Sequence, residues 1–384
     1  MKKIFALLII AILTINSLTA QMTVSGVFDS TAVFNAGAGE SPAFSFGIEE
    51  FANIRFQARL RERGSISGAV NFIAASGDYA LPLAGTGIAI TDNFIAAIEL
   101  ERLQFRLRGE HIDIDGGLFR LPFGYGQVWG PSDFLNPKNP LKPDARPRAV
   151  LGAAITWFPI DELKLLGFFA APRTVLEREG KGSLVGLSLD RHWDKASLQA
   201  LYSYETPKQG SELGIHRAGL SLKFDIEVGF VIDVLYAYNH KTIMEGSPFD
   251  GLSFSFGADY SFFDGSLILL AEYLYNGKTS ATASGYGGSF FNNHYLYTGI
   301  TWSFNDFANI GIAVISCFDD ISFTPLISFN QELFQGATLT IIAQVPLDRD
   351  LFHSSGRRGE LGPIPPGFNA GRYFSCTARI RLRF

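Results

Sequence analysis

Arginine recurs at every second or fourth position in three short segments of the sequence. These arginines are Arg55, Arg59, Arg61, Arg106, Arg108, Arg379, Arg381 and Arg383. The guanidinium group stays protonated at any physiological pH, so a row of such groups on one surface attracts anions. The alternative interpretation is structural: acids such as Glu99 and Glu101 pair with the arginines, and the row selects no solute.

The residue types that carry catalysis or bind metals form no recognisable pattern. The six histidines are scattered without the spacing of a metal site, and no Gly-x-Ser-x-Gly segment is present. Phosphate-binding loops and nucleic-acid-binding modules are absent, and a net charge of −5 does not favour nucleic acid. We therefore expect no enzyme activity, no cofactor, no metal ion and no nucleic-acid partner.

The arginine segments alternate between polar and apolar side chains. In residues 377–384, Arg379 and Arg381 share one parity, whereas Ile380, Leu382 and Phe384 share the other. Side chains of a strand point to opposite faces with a period of two, so one face can contact lipid and the other water. The alternation recurs in residues 53–60, 103–108 and 252–262. Each of these segments is expected to be an amphipathic strand.

The connectors between these strands alternate in length along the chain. Short ones such as Asp264-Gly265 are typical of hairpin turns, and long ones occupy segments such as 76–92 and 122–147. Apolar residues make up 47% of the chain, but no apolar run approaches the roughly 20 residues of a membrane helix. This pattern predicts an all-β protein: a transmembrane antiparallel up-and-down β-barrel of about 18 strands, with 16 as the alternative. A barrel of this size leaves an aqueous channel.

Both ends of the sequence carry export signals. In residues 1–20, Lys2 and Lys3 precede an apolar run that ends near small residues, which is typical of a secretory signal peptide. Residues 21–384 are expected to form a single barrel domain. The terminal Phe384 resembles the signal that bacterial outer-membrane barrels present to their insertion machinery. We therefore expect localisation in the bacterial outer membrane, with membrane lipid and that machinery as partners.

The segment 122–147 is expected to be the third outer loop. It holds six prolines in 26 residues, and proline stiffens a loop by fixing φ. Its charged residues are Asp133, Lys138, Lys142, Asp144 and Arg146. A stiff loop of mixed charge resembles the constriction loop that general porins fold into their lumen. The alternative is a loop that merely covers the barrel mouth.

About a tenth of the chain, including this loop, resembles a family of porin-like outer-membrane barrels of Gram-negative bacteria. The matching residues are Trp129-Gly130, Asp133, Asn136-Pro137, Arg146 or Arg148, and Trp157-Phe158-Pro159. The resemblance implies a barrel whose constriction loop contains Trp129, Asp133, Asn136, Pro137, Lys138, Asp144 and Arg146. It implies no particular substrate.

Together these features predict a channel for the passive diffusion of small hydrophilic solutes, with a preference for anions. Two alternatives stay open. One is a dedicated uptake channel for a hydrophobic or aromatic nutrient, which an apolar pocket in the lumen would favour. The other is a structural or adhesive surface barrel with a closed lumen. Oligomers are compatible with either arrangement, because contacts between copies would use the same apolar outer residues as lipid does.

Overall fold

The computed structural model describes residues 22–37, 43–60, 63–78, 88–91, 93–136, 138, 140–141, 149–171, 182–207, 214–239, 247–277, 290, 292–347, 361 and 372–384. The signal peptide predicted at residues 1–20 lies outside these ranges. The strands are β1 Met22–Gly37, β2 Ala43–Leu60, β3 Gly64–Gly77, β4 Ile88–Thr91, β5 Phe94–Arg108, β6 Ile112–Phe119, β7 Val150–Ile160, β8 Leu163–Ala170, β9 Leu184–Trp193, β10 Ala196–Glu205, β11 Ile215–Asp225, β12 Gly229–Tyr238, β13 Leu252–Phe262, β14 Leu267–Asn276, β15 His294–Asn305, β16 Ala308–Cys317, β17 Ser322–Phe334, β18 Ala337–Gln344 and β19 Arg372–Arg383. Single 3-10 turns occur at Pro248–Gly251 and Phe263–Gly265. None of the described segments forms a helix that is long and apolar enough to cross a bilayer.

All strands belong to one sheet, and that sheet closes on itself. Consecutive long strands pair antiparallel, and β19 pairs with β1, where Val27 lies opposite Arg383. β3 pairs directly with β5, and the short β4 attaches to the other edge of β5 near Ala96. The closed ring therefore contains 18 of the 19 strands of the sheet. This confirms the predicted transmembrane antiparallel barrel and excludes the alternative of 16 strands.

The predicted alternation sorts side chains into an inner and an outer face. On β13, Ser253 and Ser255 are buried inside the barrel, whereas Phe256 is exposed outside it. On β19, Ile380 and Leu382 are likewise exposed on the outer face. An apolar outer face with aromatic side chains and a polar interior is the arrangement that a barrel in lipid requires.

β5 contains a bulge that changes which of its residues face the lumen. Its ladder with β3 pairs Arg102 with Ala69 and resumes at Leu100, so Glu101 is the extra residue. A bulge sets two residues of one strand against one residue of the other. Glu101 therefore reaches the lumen beside Arg102, and its carboxylate accepts a hydrogen bond of 2.7 Å from Asn53 of β2.

The connections differ between the two ends of the barrel. At one end the strands join through tight turns, two of which contain Gly265 (φ +92°) and Gly336 (φ +83°) in a conformation that favours glycine. Met22 and Phe384 lie at this end, which we call the short-turn end. The opposite end, which we call the loop end, carries the longer connections, including residues 120–149 between β6 and β7.

Candidate functional site

The connection between β6 and β7 turns into the barrel. We call residues 120–136 of this connection the inner loop. Its backbone N–H groups donate to inward-facing side chains of the wall: Gly124 to Gln199 of β10 (2.5 Å), Tyr125 to Ser221 of β11 (2.9 Å), and Gln127, Val128 and Trp129 to Glu272 of β14 (3.0, 2.8 and 3.0 Å). The inner loop is thus attached to one side of the lumen by its own main chain.

Glu272 is the centre of this attachment. One carboxylate oxygen accepts from Gln127 and Val128, and the other accepts from Trp129. Its neighbour on β13 is Gly257, where a Cβ would lie 3.3 Å from the Cγ of Glu272, so the glycine leaves room for the side chain. A carboxylate loses its hydrogen bonds to water when it is buried, and here three backbone N–H groups replace them.

Gly124 brings the inner loop very close to the wall. It has a φ of +74°, and a Cβ at this position would lie 2.3 Å from a carboxylate oxygen of Asp233 on β12 and 2.4 Å from the hydroxyl of Ser132. Only glycine combines this backbone conformation with such a close approach. The path of the inner loop therefore depends on glycine at this position.

Two apolar clusters pack the inner loop against the same side of the lumen. In the first, Phe123 and Phe134 of the loop contact residues of β6–β10 and β12, namely Phe119, Val150, Ala154, Leu166, Phe168, Ala170, Leu184, Leu201 and Leu235. In the second, the buried Trp129 meets Phe290 edge to face, with ring centroids 6.3 Å apart, above residues of β14–β17. These contacts exclude water between the loop and the wall.

The residues predicted in the constriction loop occupy different environments. Asp133 is buried between the inner loop and the wall, and this burial raises the pKa of its carboxyl to about 7. Its carbonyl accepts a hydrogen bond of 2.9 Å from the N–H of Asn136. Lys138 is exposed, and its ammonium donates to the carbonyl of Gly126. Pro137, Asp144 and Arg146 lie outside the described residues.

Seven of the predicted arginines face the lumen from three strands. They are Arg55 and Arg59 of β2, Arg106 and Arg108 of β5, and Arg379, Arg381 and Arg383 of β19. Arg61 lies outside the described residues. Because β19, β1, β2, β3 and β5 are consecutive in the ring, the arginines share one sector. Two further arginines join them: Arg102 at the bulge and Arg120 just after β6. We call these nine residues the arginine wall.

Acids from neighbouring strands neutralise part of the arginine wall. Three ion pairs are Arg381 with Asp29 (2.7 Å), Arg106 with Asp115 (2.6 Å) and Arg120 with Glu101 (2.5 Å). The carboxylates of this sector are Asp29, Glu49, Asp78, Glu99, Glu101, Asp113 and Asp115. Among the described residues, the nine arginines of the sector therefore outnumber its seven lumen-facing carboxylates.

The facing sector of the lumen has the opposite balance. Along the described parts of β8–β14, its inward acids are Asp190, Glu205, Asp225, Asp233, Asp259 and Glu272, and its inward bases are Lys164, Arg217 and Lys223. Each of the three bases is paired: Lys164 with Asp190 at 3.0 Å, Arg217 with Glu205 at 2.7 Å, and Lys223 with Asp225 at 2.8 Å. The inner loop is attached to this acidic sector, and the arginine wall lies across the lumen from it. The lumen therefore has a side rich in arginine and a facing side rich in carboxylates.

Sequence reasoning missed several of these residues. Arg102 shares its parity with Arg106 and Arg108, so alternation alone could have found it. Glu272 is the sole charged residue of β14, and a lone carboxylate at an inward position was the available signal for an anchor. Arg120 gave no signal, because it follows the end of a strand.

Comparisons with known proteins identify solved structures that have a similar fold. No protein-family model matches the chain, and no curated protein matches it. Among solved structures, OccAB4 of Acinetobacter baumannii is similar with a TM-score of 0.57 and 10% identity, covering 95% of this chain and 98% of that one. OccK5 (OpdH) and the outer membrane protein opdK, both of Pseudomonas aeruginosa, each give a TM-score of 0.56 over 95% of this chain and 98% of theirs, at 8% and 7% identity. At such low identity the likeness shows that this chain shares their barrel fold.

Proposed function

We propose that this protein is an outer-membrane channel through which small hydrophilic solutes diffuse passively, with a preference for anions. The fold supports the location, since the similar barrels include the outer membrane protein opdK. The short-turn end then faces the periplasm and the loop end faces outward, because outer-membrane barrels have short periplasmic turns and longer outer loops.

The observation that carries the proposal is the position of the inner loop relative to the arginine wall. The loop fills the acidic side of the lumen, where its main chain binds Gln199, Ser221 and Glu272. An 18-strand barrel is too wide to be filled by its own wall side chains. The hydrated path therefore runs along the arginines, which keep their charge at any pH and favour anions.

The inner loop narrows this path. The buried Trp129 and Asp133 and the half-buried Asn136 hold the shape of the loop, whereas Lys138 is exposed at its surface. We include Pro137, Asp144 and Arg146 in the same constriction, on the basis of the sequence. The two luminal apolar clusters are occupied by side chains of the loop itself, so they do not favour an apolar nutrient.

Export and assembly use the two ends of the chain. Residues 1–20 act as the signal peptide, and residues 21–384 form the barrel domain. Phe384 presents the C-terminal signal to the insertion machinery. In its support, the Phe384 backbone pairs with Gly26 of β1 through hydrogen bonds of 2.8 and 3.1 Å, so the final residue takes part in closing the barrel.

Planar-bilayer recording of the refolded protein in a salt gradient tests the proposal. We expect a steady conductance and a reversal potential that favours anions. Arg59→Gln, Arg108→Gln and Arg383→Gln together should shift that potential toward cations, because none of the three has an ion pair with another described residue. Arg191→Gln is the matched control, since Arg191 lies outside the lumen over the ring of Trp193. Absence of conductance would contradict the proposal of a channel. A cation preference would contradict only the anion selectivity that we assign to the arginines and would leave the channel itself in place.

A further inference from the structure

Three turns at the short-turn end carry a phenylalanine at the tip. Phe263 lies between β13 and β14, Phe307 lies between β15 and β16, and Phe334 ends β17 at its turn to β18. Their side chains are 77%, 62% and 65% exposed. Such exposure of large apolar rings on three neighbouring turns marks a surface that contacts something other than water.

The other described turns of this end carry charged residues and no phenylalanine. Glu110 follows β5, Asp161 and Glu162 follow β7, Asp194 and Lys195 follow β9, and Glu227 follows β11, all of them exposed. Among the described turns of this end, the aromatic tips are therefore confined to the sector from β13 to β18. An aromatic girdle that served only to mark the membrane boundary would surround the whole barrel.

The turn at Phe263 is also strained. Phe263 and Asp264 have φ values of +52° and +53°, a conformation that suits glycine or asparagine and disfavours a bulky side chain. Asparagine would form this turn with less strain and with less apolar surface in water. A bulky residue with a positive φ is unusual, and its presence at position 263 indicates that the ring itself has a function.

The apolar surface of these tips continues onto the outer face of the barrel. Phe262, Trp302 and Phe304 are exposed directly above the tips at the ends of β13 and β15. Between the second and third tips, Phe307, Leu333 and Phe334 line a groove of about 590 Å³, together with the polar residues Asn305, Gln331, Glu332 and Gln335. A surface that combines apolar rings with polar groups suits the boundary between acyl chains and headgroups.

We propose that the three phenylalanine-tipped turns insert into the periplasmic leaflet of the outer membrane and anchor this sector of the barrel deeper than the rest. The proposal rests on the proposed function only for its orientation, because it needs the short-turn end to face the periplasm. The occupant is lipid, since the tips extend a surface that already faces lipid. None of the described charged turns carries a phenylalanine ring at its tip.

Membrane depth tests this directly. In a Cys317→Ala, Cys376→Ala background, a nitroxide label is attached at Asp306→Cys or Gln335→Cys, with Asp194→Cys and Glu110→Cys as matched turns of the charged sector. The protein is reconstituted in vesicles of phosphatidylethanolamine and phosphatidylglycerol, and collision rates with oxygen and a nickel chelate are compared. Labels at positions 306 and 335 should lie about 5 Å below the phosphates, as interfacial groups do, and labels at 194 and 110 should lie in water. Equal depths at all four positions would overturn the proposal.

A second variant separates anchoring from a structural role of the ring. Phe263→Asn relieves the strained turn, so a purely structural residue would give a barrel at least as stable in lipid vesicles. Anchoring predicts the reverse: lower stability in vesicles and a shift of the label at position 306 toward water. Ile226→Asn, at an exposed apolar residue of a charged turn, should leave that label in place. Broadening between labels on two copies would instead assign this sector to contacts with a second copy of the chain and would also overturn the proposal. None of these readouts depends on conductance, so failure of the anchor and failure of the channel are distinguishable.

Discussion

Arg381 and Asp29 lie opposite each other across the seam between β19 and β1 and form two parallel hydrogen bonds. Nε of Arg381 donates to Oδ1 of Asp29, and Nη2 donates to Oδ2, each over 2.7 Å. The two residues are 352 positions apart in the sequence. This ion pair joins the first and last strands and is also part of the arginine wall, so it links the closure of the barrel to the charge of its lumen.

Substitutions in this pair should affect stability and selectivity separately. Arg381→Lys keeps the charge but loses the two-point geometry, and we expect a loss of about 1 kcal/mol in the free energy of unfolding. Asp29→Asn should lose about 1–3 kcal/mol and should also strengthen the anion preference, because a guanidinium is no longer neutralised. Urea unfolding and reversal potentials measure the two effects. Lys223→Gln, which breaks an exposed pair with Asp225, should change stability by less than about 1 kcal/mol.

Glu272→Gln should loosen the inner loop. The amide offers a single acceptor oxygen and turns an NH2 group toward backbone donors, so the attachment of residues 127–129 should weaken by about 2–3 kcal/mol. We expect larger and noisier single-channel currents with an unchanged barrel. Glu227→Gln, at the exposed turn between β11 and β12, is the control. Identical current traces for Glu272→Gln and the unmodified protein would mean that apolar packing alone holds the loop.

Asp133 should make the attachment of the loop depend on pH. Burial raises the pKa of its carboxyl from 3.8 to about 7, so the folded protein holds this proton over a pH range in which the unfolded chain has lost it. The protonated Asp133 carboxyl therefore makes its full contribution to the free energy of unfolding below about pH 4. This contribution is lost as the pH rises to about 7, by an amount on the order of 1–4 kcal/mol. Asp133→Asn should remove this dependence. Melting temperatures of both forms at pH 5 and pH 8 measure it, and an equal drop in both would assign the dependence to other groups.

Phe384→Ala should affect assembly more than stability. The ring packs beside Gly26, where a Cβ would lie 2.3 Å from its Cζ, but most of it is exposed. The free energy of unfolding in detergent should therefore change by less than about 1 kcal/mol. The fraction of the protein that is folded in cell membranes should fall several-fold. Leu382→Ala, which also truncates an apolar outer residue of β19, is the control. A similar fall for both variants would mean that Phe384 carries no special signal.

Alternation in the sequence was sufficient to predict the barrel and the inward direction of the arginines. Arg379 and Arg381 point into the lumen because a strand has a fixed period of two, and no distant residue can change that parity. The bulge at Glu101 shows where this reasoning fails. One extra residue changes which positions of a strand face the lumen, and the local sequence pattern of β5 does not predict the bulge.

The attachment of the inner loop could not be predicted in the same way. The prolines of segment 122–147 indicate a stiff loop but give no direction. The direction depends on Glu272, which lies 143 residues beyond Trp129 in the sequence and becomes its neighbour only when the barrel closes. The burial of Asp133 against the wall depends on the same attachment, so it could not be predicted from the sequence either.

The order of the strands also constrains how the barrel can form. Nearly every ladder joins strands that are consecutive in the sequence, so hairpins can form early at little entropic cost. The seam between β1 and β19 is the exception, since it must bring together the two ends of the sheet. Ladders of high contact order form slowly, so closure at the seam is expected to be the late step of folding. A circular permutant with new termini at the Asp194-Lys195 turn would move this late step to the ladder between β9 and β10.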